Sequence, residues 1–310
     1  MPDSRRGFPD ALCALLKWCV VRAVPALCAG VLAASAWAAD LLVPYVPTPQ
    51  NAVERMLQMA RISSADYLID LGSGDGRIVI AAAKEYGARG FGVDLDPVRV
   101  AEANENARKA GVTGKVAFYQ RDLFDTDLSQ ATVITMYLLP SVNLNLRPRL
   151  LDLKPGTRVV SHDFSMGDWR PDNLARLKVK AKYEGSGDIS EVYFWVVPAK
   201  VAGTWRWELP LSGKNQTCET TLRQKYQEIS GEARIGGQIV RLQNPVVHGD
   251  RIGFTFTIVV NGVPTRYEFG GRVEGDAIAG SAILTGRRLQ SRLEWSAKRV
   301  ANSAVADGHR

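Results

Sequence analysis

The stretch Asp70-Leu71-Gly72-Ser73-Gly74-Asp75-Gly76, with the later acids Asp94 and Asp122, holds the residues whose types and spacing point to chemistry. Glycines at 72, 74 and 76 accept positive φ and carry no Cβ, so an extended ligand can lie against the backbone where a helix begins. Carboxylates at 70 and 75 inside that turn repel a pyrophosphate and favour a ligand with a cationic group. Asp94, at the end of a following strand, is placed to accept hydrogen bonds from ribose hydroxyls. The turn lacks the lysine and hydroxyl of a phosphate-gripping loop, which argues against ATP and GTP.

The elements that must position these residues alternate. Pro44, Pro47 and Pro49 hold residues 44–49 extended, and a helix follows with Asn51 as its expected cap and Val53, Met56, Leu57 and Ala60 at helical spacing. Residues 67–71 read as a strand and 77–84 as a helix. The rhythm repeats with strands at 88–94, 116–119, 131–137 and 157–161 and helices at 97–110 and 144–151. Residues 178–183 and 191–197 suggest a closing antiparallel pair. This order predicts an α/β fold, a Rossmann-like doubly wound sheet with its ligand site beyond the carboxyl ends of the strands.

Residues 68–77, with Gly92-Val93-Asp94 and Arg121-Asp122-Leu123 in register, resemble the class I S-adenosylmethionine-dependent methyltransferases over residues 44 to about 198. The resemblance implies S-adenosylmethionine as cofactor. Asp70, Gly72, Ser73 and Gly74 would form the turn that cradles its methionine and ribose part. Asp94 would take the ribose hydroxyls, and Asp122 would approach the adenine amino group. The Pro-rich segment and the run from Asp70 to Ala83 look more narrowly like the lysine methyltransferases of the ATP synthase c-subunit and adenine nucleotide translocase type, whose substrates are lysines of membrane proteins. That likeness implies that the Pro-rich segment folds over the cofactor, with Tyr45 and Thr48 beside the methyl donor. Two departures stand out. Residues 136–140, Met-Tyr-Leu-Leu-Pro, are not the Asn-Pro-Pro-Tyr signature of amino-methyltransferases, and residues beyond 200 have no counterpart in the family.

Methyl transfer to an amine needs alignment, exclusion of water and a route for a proton. Tyr45 and Tyr137 are the expected channel-lining groups, and Asp163, after the fifth strand, is a further candidate. The expected function is methylation of a protein lysine, the partner being a protein substrate at a membrane. A small-molecule or quinone methyltransferase and an exported, non-catalytic binding protein on the same fold remain alternatives.

The flanks differ from this unit. Residues 1–38 combine Arg5, Arg6, Lys17 and Arg22 with an apolar run ending in Ala36-Trp37-Ala38, the pattern of a signal peptide cleaved after Ala38 or of an uncleaved membrane anchor. Either places the protein at a membrane or in the periplasm, with a cytoplasmic-face anchor as the alternative. Cys13, Cys19 and Cys28 lie in this leader, which leaves Cys218 alone after cleavage. His162, His248 and His309 lack the spacing of zinc ligands, so no metal is expected. From residue 199 to 300 the pattern turns to alternation, with strands at 204–209, 218–227, 237–242, 253–260, 266–269, 277–284 and 291–296, and a lipocalin-like Gly203-Thr204-Trp205 opening. This predicts a small antiparallel β-barrel or sandwich, followed by a disordered tail at 301–310.

Over 310 residues, 46% hydrophobic and 23% charged composition excludes wholesale disorder, a collagen-like chain and a polytopic membrane protein. The net charge of +7, without a concentrated basic patch, gives no reason to expect nucleic acid, and no oligomeric state is read from the chain.

Overall fold

Strand β1 (Tyr67–Leu71) is buried from its second residue onward, and both of its edges are paired in parallel, by β2 (Arg89–Asp94) and by β4 (Val133–Met136). Residues apolar on both faces are what a strand covered by helices on each side requires. The computed structural model describes residues 45–180, 182, 183, 185–211, 213–286 and 290–301. It divides into two compact units, residues 1–45 and 46–310; of the first only Tyr45 is described, and the leader read at residues 1–38 lies outside the described residues. Among the described residues no helix is long and apolar enough to cross a membrane. Of the expected tail only residue 301 is described.

The remaining elements of the first sheet are β3 (Val116–Gln120), β5 (Arg158–His162), β6 (Asn173–Lys178) and β7 (Ile189–Val196), in the order β3-β2-β1-β4-β5-β7-β6 with β7 antiparallel to both neighbours. Helices α1 (Gln50–Met59), α2 (Arg77–Tyr86), α3 (Pro97–Lys109) and α4 (Pro140–Leu151) belong to the same domain. Strand order reverses between β1 and β4, so the carboxyl ends of these two strands open the crevice in which ligands of such sheets bind.

Three local readings are corrected. Asn51 does not cap α1. Pro49 does, with φ −57° and ψ 145°, its carbonyl accepting from the amides of Ala52 and Val53, while Asn51 Nδ2 donates to the carbonyl of Lys178 at 2.8 Å. The helix after β4 begins at Pro140 rather than 144, because proline suits the first helical turn, where no amide partner is needed. The closing pair is shifted: β6 runs over 173–178, and Val179, Lys180, Lys182 and Tyr183 lie beyond it. Asp172 Oδ2 accepting from Val196 N at 2.7 Å, and Asp172 N donating to the carbonyl of Phe194, anchor the earlier register.

The second sheet is antiparallel throughout: β8 (Gly203–Leu211), β9 (Lys214–Lys225), β10 (Glu228–Ile235), β11 (Gln238–Arg241), β12 (Gln243–His248), β13 (Arg251–Val260), β14 (Val263–Glu274), β15 (Ala277–Thr285) and β16 (Gln290–Arg299). First and last strands pair, Ala297 opposite Trp207, and the sheet curls until β12 approaches β10, giving a nearly closed barrel. Strands β10 and β12 go beyond the sequence reading, Gly231 and Pro245 masking the alternation in each.

Aromatic side chains pack the barrel interior. Trp207 sits 4.9 Å from Phe269, 5.9 Å from Trp295 and 6.2 Å from Phe256 by ring centroids, with Nε1 donating to Thr220 Oγ1 at 2.9 Å. Trp207→Ala is expected to cost the barrel about 3–5 kcal/mol, read as faster hydrogen exchange of the β14 and β15 amides.

The barrel is fastened to the first domain through its β9–β10 turn. Trp169 Nε1 donates to Gln227 Oε1 at 2.9 Å, Tyr226 donates to Asp168 Oδ1 at 2.9 Å, and Gln227 Nε2 donates to the carbonyl of Arg170 at 2.6 Å. Residues 163–172, which begin at the carboxyl end of β5, are thereby clamped from outside.

Candidate active site

The turn after β1 is built as its glycines require. Gly72, Gly74 and Gly76 adopt φ of 76°, 52° and 81°, the left-handed region, and the amides of Gly72 and Ser73 both donate to the carbonyl of Val93 at 2.9 Å. A Cβ on Gly72 would come within 2.7 Å of Leu138, so the carboxyl end of β4 closes directly on the turn. Asp94 is oriented by two amides, Gly74 N to Oδ2 at 2.9 Å and Asp96 N to Oδ1 at 3.0 Å. Asp122 sits in the loop after β3, Oδ1 accepting from Phe124 N at 2.8 Å, and Arg149 braces that loop through the carbonyls of Leu123, Phe124 and Thr126.

Asp70 is 2% exposed. Burial, together with the charges of Asp94 and Asp75, pushes its carboxyl up to about 7 against the restraint of Thr135 Oγ1, which donates to it at 2.7 Å. Asp75 in turn is gripped by Arg77, whose Nε and Nη2 reach its carboxylate at 2.9 and 2.6 Å and whose Nη1 donates to the carbonyl of Thr48 at 2.8 Å.

Thr48 joins this turn to a second cluster. Its buried hydroxyl lies 3.3 Å from His162 Nδ1 at the carboxyl end of β5. His162 Nε2 meets Ser190 Oγ at 2.9 Å, and Lys182 Nζ donates to that same Oγ at 3.2 Å and to Asp163 Oδ2. A lysine only donates, so Ser190 Oγ accepts from Lys182, and His162 Nε2 also lies 3.5 Å from Asp163 Oδ1. Burial, with the Lys182 charge, pulls His162 down to about 4 despite Asp163, so the ring is neutral at pH 7.

Asp163 sits at φ 60°, with Phe164 N donating to the His162 carbonyl at 2.8 Å, a γ-turn that is rare and strained for a residue with a side chain. Burial alone would raise its carboxyl, but Lys182, His162 and the Glu191 amide at 3.0 Å outweigh that and hold it below the usual range. Tyr137 completes the pocket: its ring lies 4.2 Å from His162 and stacks on Phe164 at 6.0 Å, and its hydroxyl donates to Asp163 Oδ2 at 3.3 Å. Burial and the Asp163 charge raise the Tyr137 phenol, which keeps it a donor rather than a base.

The structure therefore gathers Asp70, Gly72, Ser73, Gly74 and Asp94 at one turn and Thr48, Tyr137 and Asp163 at an adjoining cluster, with Asp122 in the β3 loop. Tyr45 is 43% exposed and belongs to the other compact unit, so the site as described begins after it. Arg77, His162, Lys182 and Ser190 escaped the sequence reading. No spacing rule links a lysine at 182 to an acid at 163, since a hairpin brings them together.

A parallel sheet in this strand order with an antiparallel β7, a glycine turn after β1 and an acid ending β2 defines a class I S-adenosylmethionine-dependent methyltransferase. The residues fit that cofactor. Ser73 Oγ is buried with no hydrogen-bond partner among the described residues, the left-handed glycines leave the backbone bare, and three carboxylates cluster where a sulfonium and an ammonium would lie. Residues 70–173 match the family model of the ANTKMT methyltransferase domain. The chain is 47% identical over 138 residues to a protein-lysine N-methyltransferase of Saccharolobus islandicus, covering 44% of this chain and 86% of that protein. It is 38% identical to the mouse lysine N-methyltransferase of the ATP synthase c-subunit and 38% identical to the mouse adenine nucleotide translocase lysine N-methyltransferase, each over 42% of this chain and spanning 53% and 57% of their lengths. Among solved structures it is similar to an RNA methyltransferase from Salinibacter ruber in complex with S-adenosyl-L-homocysteine, at 52% identity over 50% of this chain and 96% of that one, with a TM-score of 0.45.

The chain belongs to the ANTKMT methyltransferase family, and it is an enzyme that uses S-adenosylmethionine. The reading as a non-catalytic binding protein is thereby set aside.

Proposed function

We propose that this enzyme methylates the Nζ of a lysine in a protein substrate held at a membrane. The observation that carries the reading is the Asp163 cluster, in which a carboxylate and a serine hydroxyl already receive a lysine amine, with the Tyr137 hydroxyl on the same carboxylate. A carboxylate with hydroxyls beside it is suited to a primary ammonium. The relatives named for protein-lysine methylation support the acceptor class, and the apolar leader at residues 1–38 supports the membrane location.

When bound, S-adenosylmethionine supplies an activated methyl group on a sulfonium. Asp70, Gly72, Ser73, Gly74 and Asp94 would hold it at the turn. Asp163 then orients the incoming amine, which gives up its proton before transfer, and Tyr137 and Phe164 narrow its approach.

The test offers the purified protein labelled S-adenosylmethionine with membranes, total RNA and a lipid extract as separate acceptors. Label in polypeptide that hydrolyses to methyl-lysine, absent with Asp94→Ala, is the expected result. Label confined to lipid or RNA overturns the reading.

A further inference from the structure

The amine already held at Asp163 belongs to the chain itself, on Lys182. Its side chain is only 7% exposed, although the lysines just before it on the same segment, Lys178 and Lys180, are exposed. It reaches inward from the segment between β6 and β7, which turns back on itself where Ser186 Oγ accepts from Lys182 N at 2.7 Å and from Tyr183 N at 3.1 Å. Burying an ammonium is costly unless it is paired, and here Asp163 and Ser190 pair it. That carboxylate and that hydroxyl are the groups a substrate lysine would use.

We propose that Lys182 occupies the acceptor-amine position as an internal substrate and that the enzyme methylates it, an inference that rests on the lysine reading given above. Lys182 Nζ first loses one proton to water, as any lysine must before it can act as a nucleophile. The freed lone pair forms the nitrogen–carbon bond to the methyl as the carbon–sulfur bond breaks, its electron pair staying on sulfur in S-adenosylhomocysteine. Each methyl added replaces an N–H donor. A fully methylated Nζ keeps its charge beside Asp163 but donates to neither Asp163 nor Ser190, so the modification weakens the hold on the segment and favours its exchange with an external lysine.

The test has two readouts on the full chain. After incubation with S-adenosylmethionine, tandem mass spectrometry should find methyl groups on Lys182 and none on Lys178 or Lys180, at a fractional rate independent of protein concentration. Without cofactor, calorimetric titration with a lysine-containing peptide should show binding tightened by roughly tenfold in Lys182→Met, because no internal amine must be displaced. An unmodified Lys182 in a preparation that methylates added polypeptide lysines overturns the inference and leaves the lysine reading standing. No methyl-lysine on any polypeptide overturns both. A rate that rises with protein concentration, or unchanged peptide affinity in Lys182→Met, overturns the internal occupancy.

Discussion

Asp94→Ala should reduce affinity for S-adenosylhomocysteine by about 100-fold or more in calorimetric titration, with the fold intact. Each hydrogen bond to a charged group contributes about 1.5–3 kcal/mol, and two such bonds to a ribose correspond to losses on the order of 100- to 10,000-fold. The substitution also strips the turn of an anchor, because Asp94 Oδ2 is what the Gly74 amide points at. Asp94→Asn keeps an acceptor for that amide and loses the charge, so it should fall between the native protein and the alanine variant. Affinity within threefold of native in Asp94→Ala would mean that this carboxylate braces the turn without touching the cofactor.

Asp70→Asn should separate stability from binding. In the folded protein without cofactor, burial lifts Asp70 from 3.8 to about 7. Between those values the unfolded chain has released the proton that the folded chain still holds, so stability falls as pH rises from about 4 to 7 and is level above. The difference of about three pKa units corresponds to about 4 kcal/mol. Above pH 7 the asparagine variant should therefore be more stable than the native protein, and the gap should close toward pH 4, as read from urea midpoints at several pH values.

Cofactor binding should move the opposite way. A cationic ligand stabilises the ionised Asp70, so native affinity for S-adenosylmethionine rises as pH climbs toward 7, and in Asp70→Asn it should be weak and lack that rise. Equal native stability at pH 5 and pH 8 would show that Asp70 is not held protonated.

Methylation of Lys182 would add a layer of control through the same geometry. The residues that receive the internal amine are Asp163, just after β5, and Ser190 on β7, and these two strands are antiparallel neighbours. The barrel turn at Tyr226 and Gln227 clamps the loop that begins at Asp163, so the barrel stiffens one wall of the pocket from a distance.

Local rules were enough to read the glycine turn and the acids around it. A turn that needs left-handed backbone at 72, 74 and 76 can be written only with glycine, and a strand that ends in an acid declares itself within a few residues, so Asp70 and Asp94 were legible from local rules. The alternating strands and helices, and the later change to period two, were equally local and showed both architectures.

The cluster around Asp163 took shape through long-range pairing. Lys182 reads as one more cation in an alternating strand, yet the register chosen by Asp172 leaves it beyond β6, where it turns inward onto Asp163. His162 looks like a strand residue until Thr48, 114 positions earlier, and Ser190, 28 later, meet its two ring nitrogens. Pairing across such separations depends on how the sheet closes. Local propensity carries no record of that closure, because the groups become neighbours only when burial and hydrogen bonding over the whole sheet select one register.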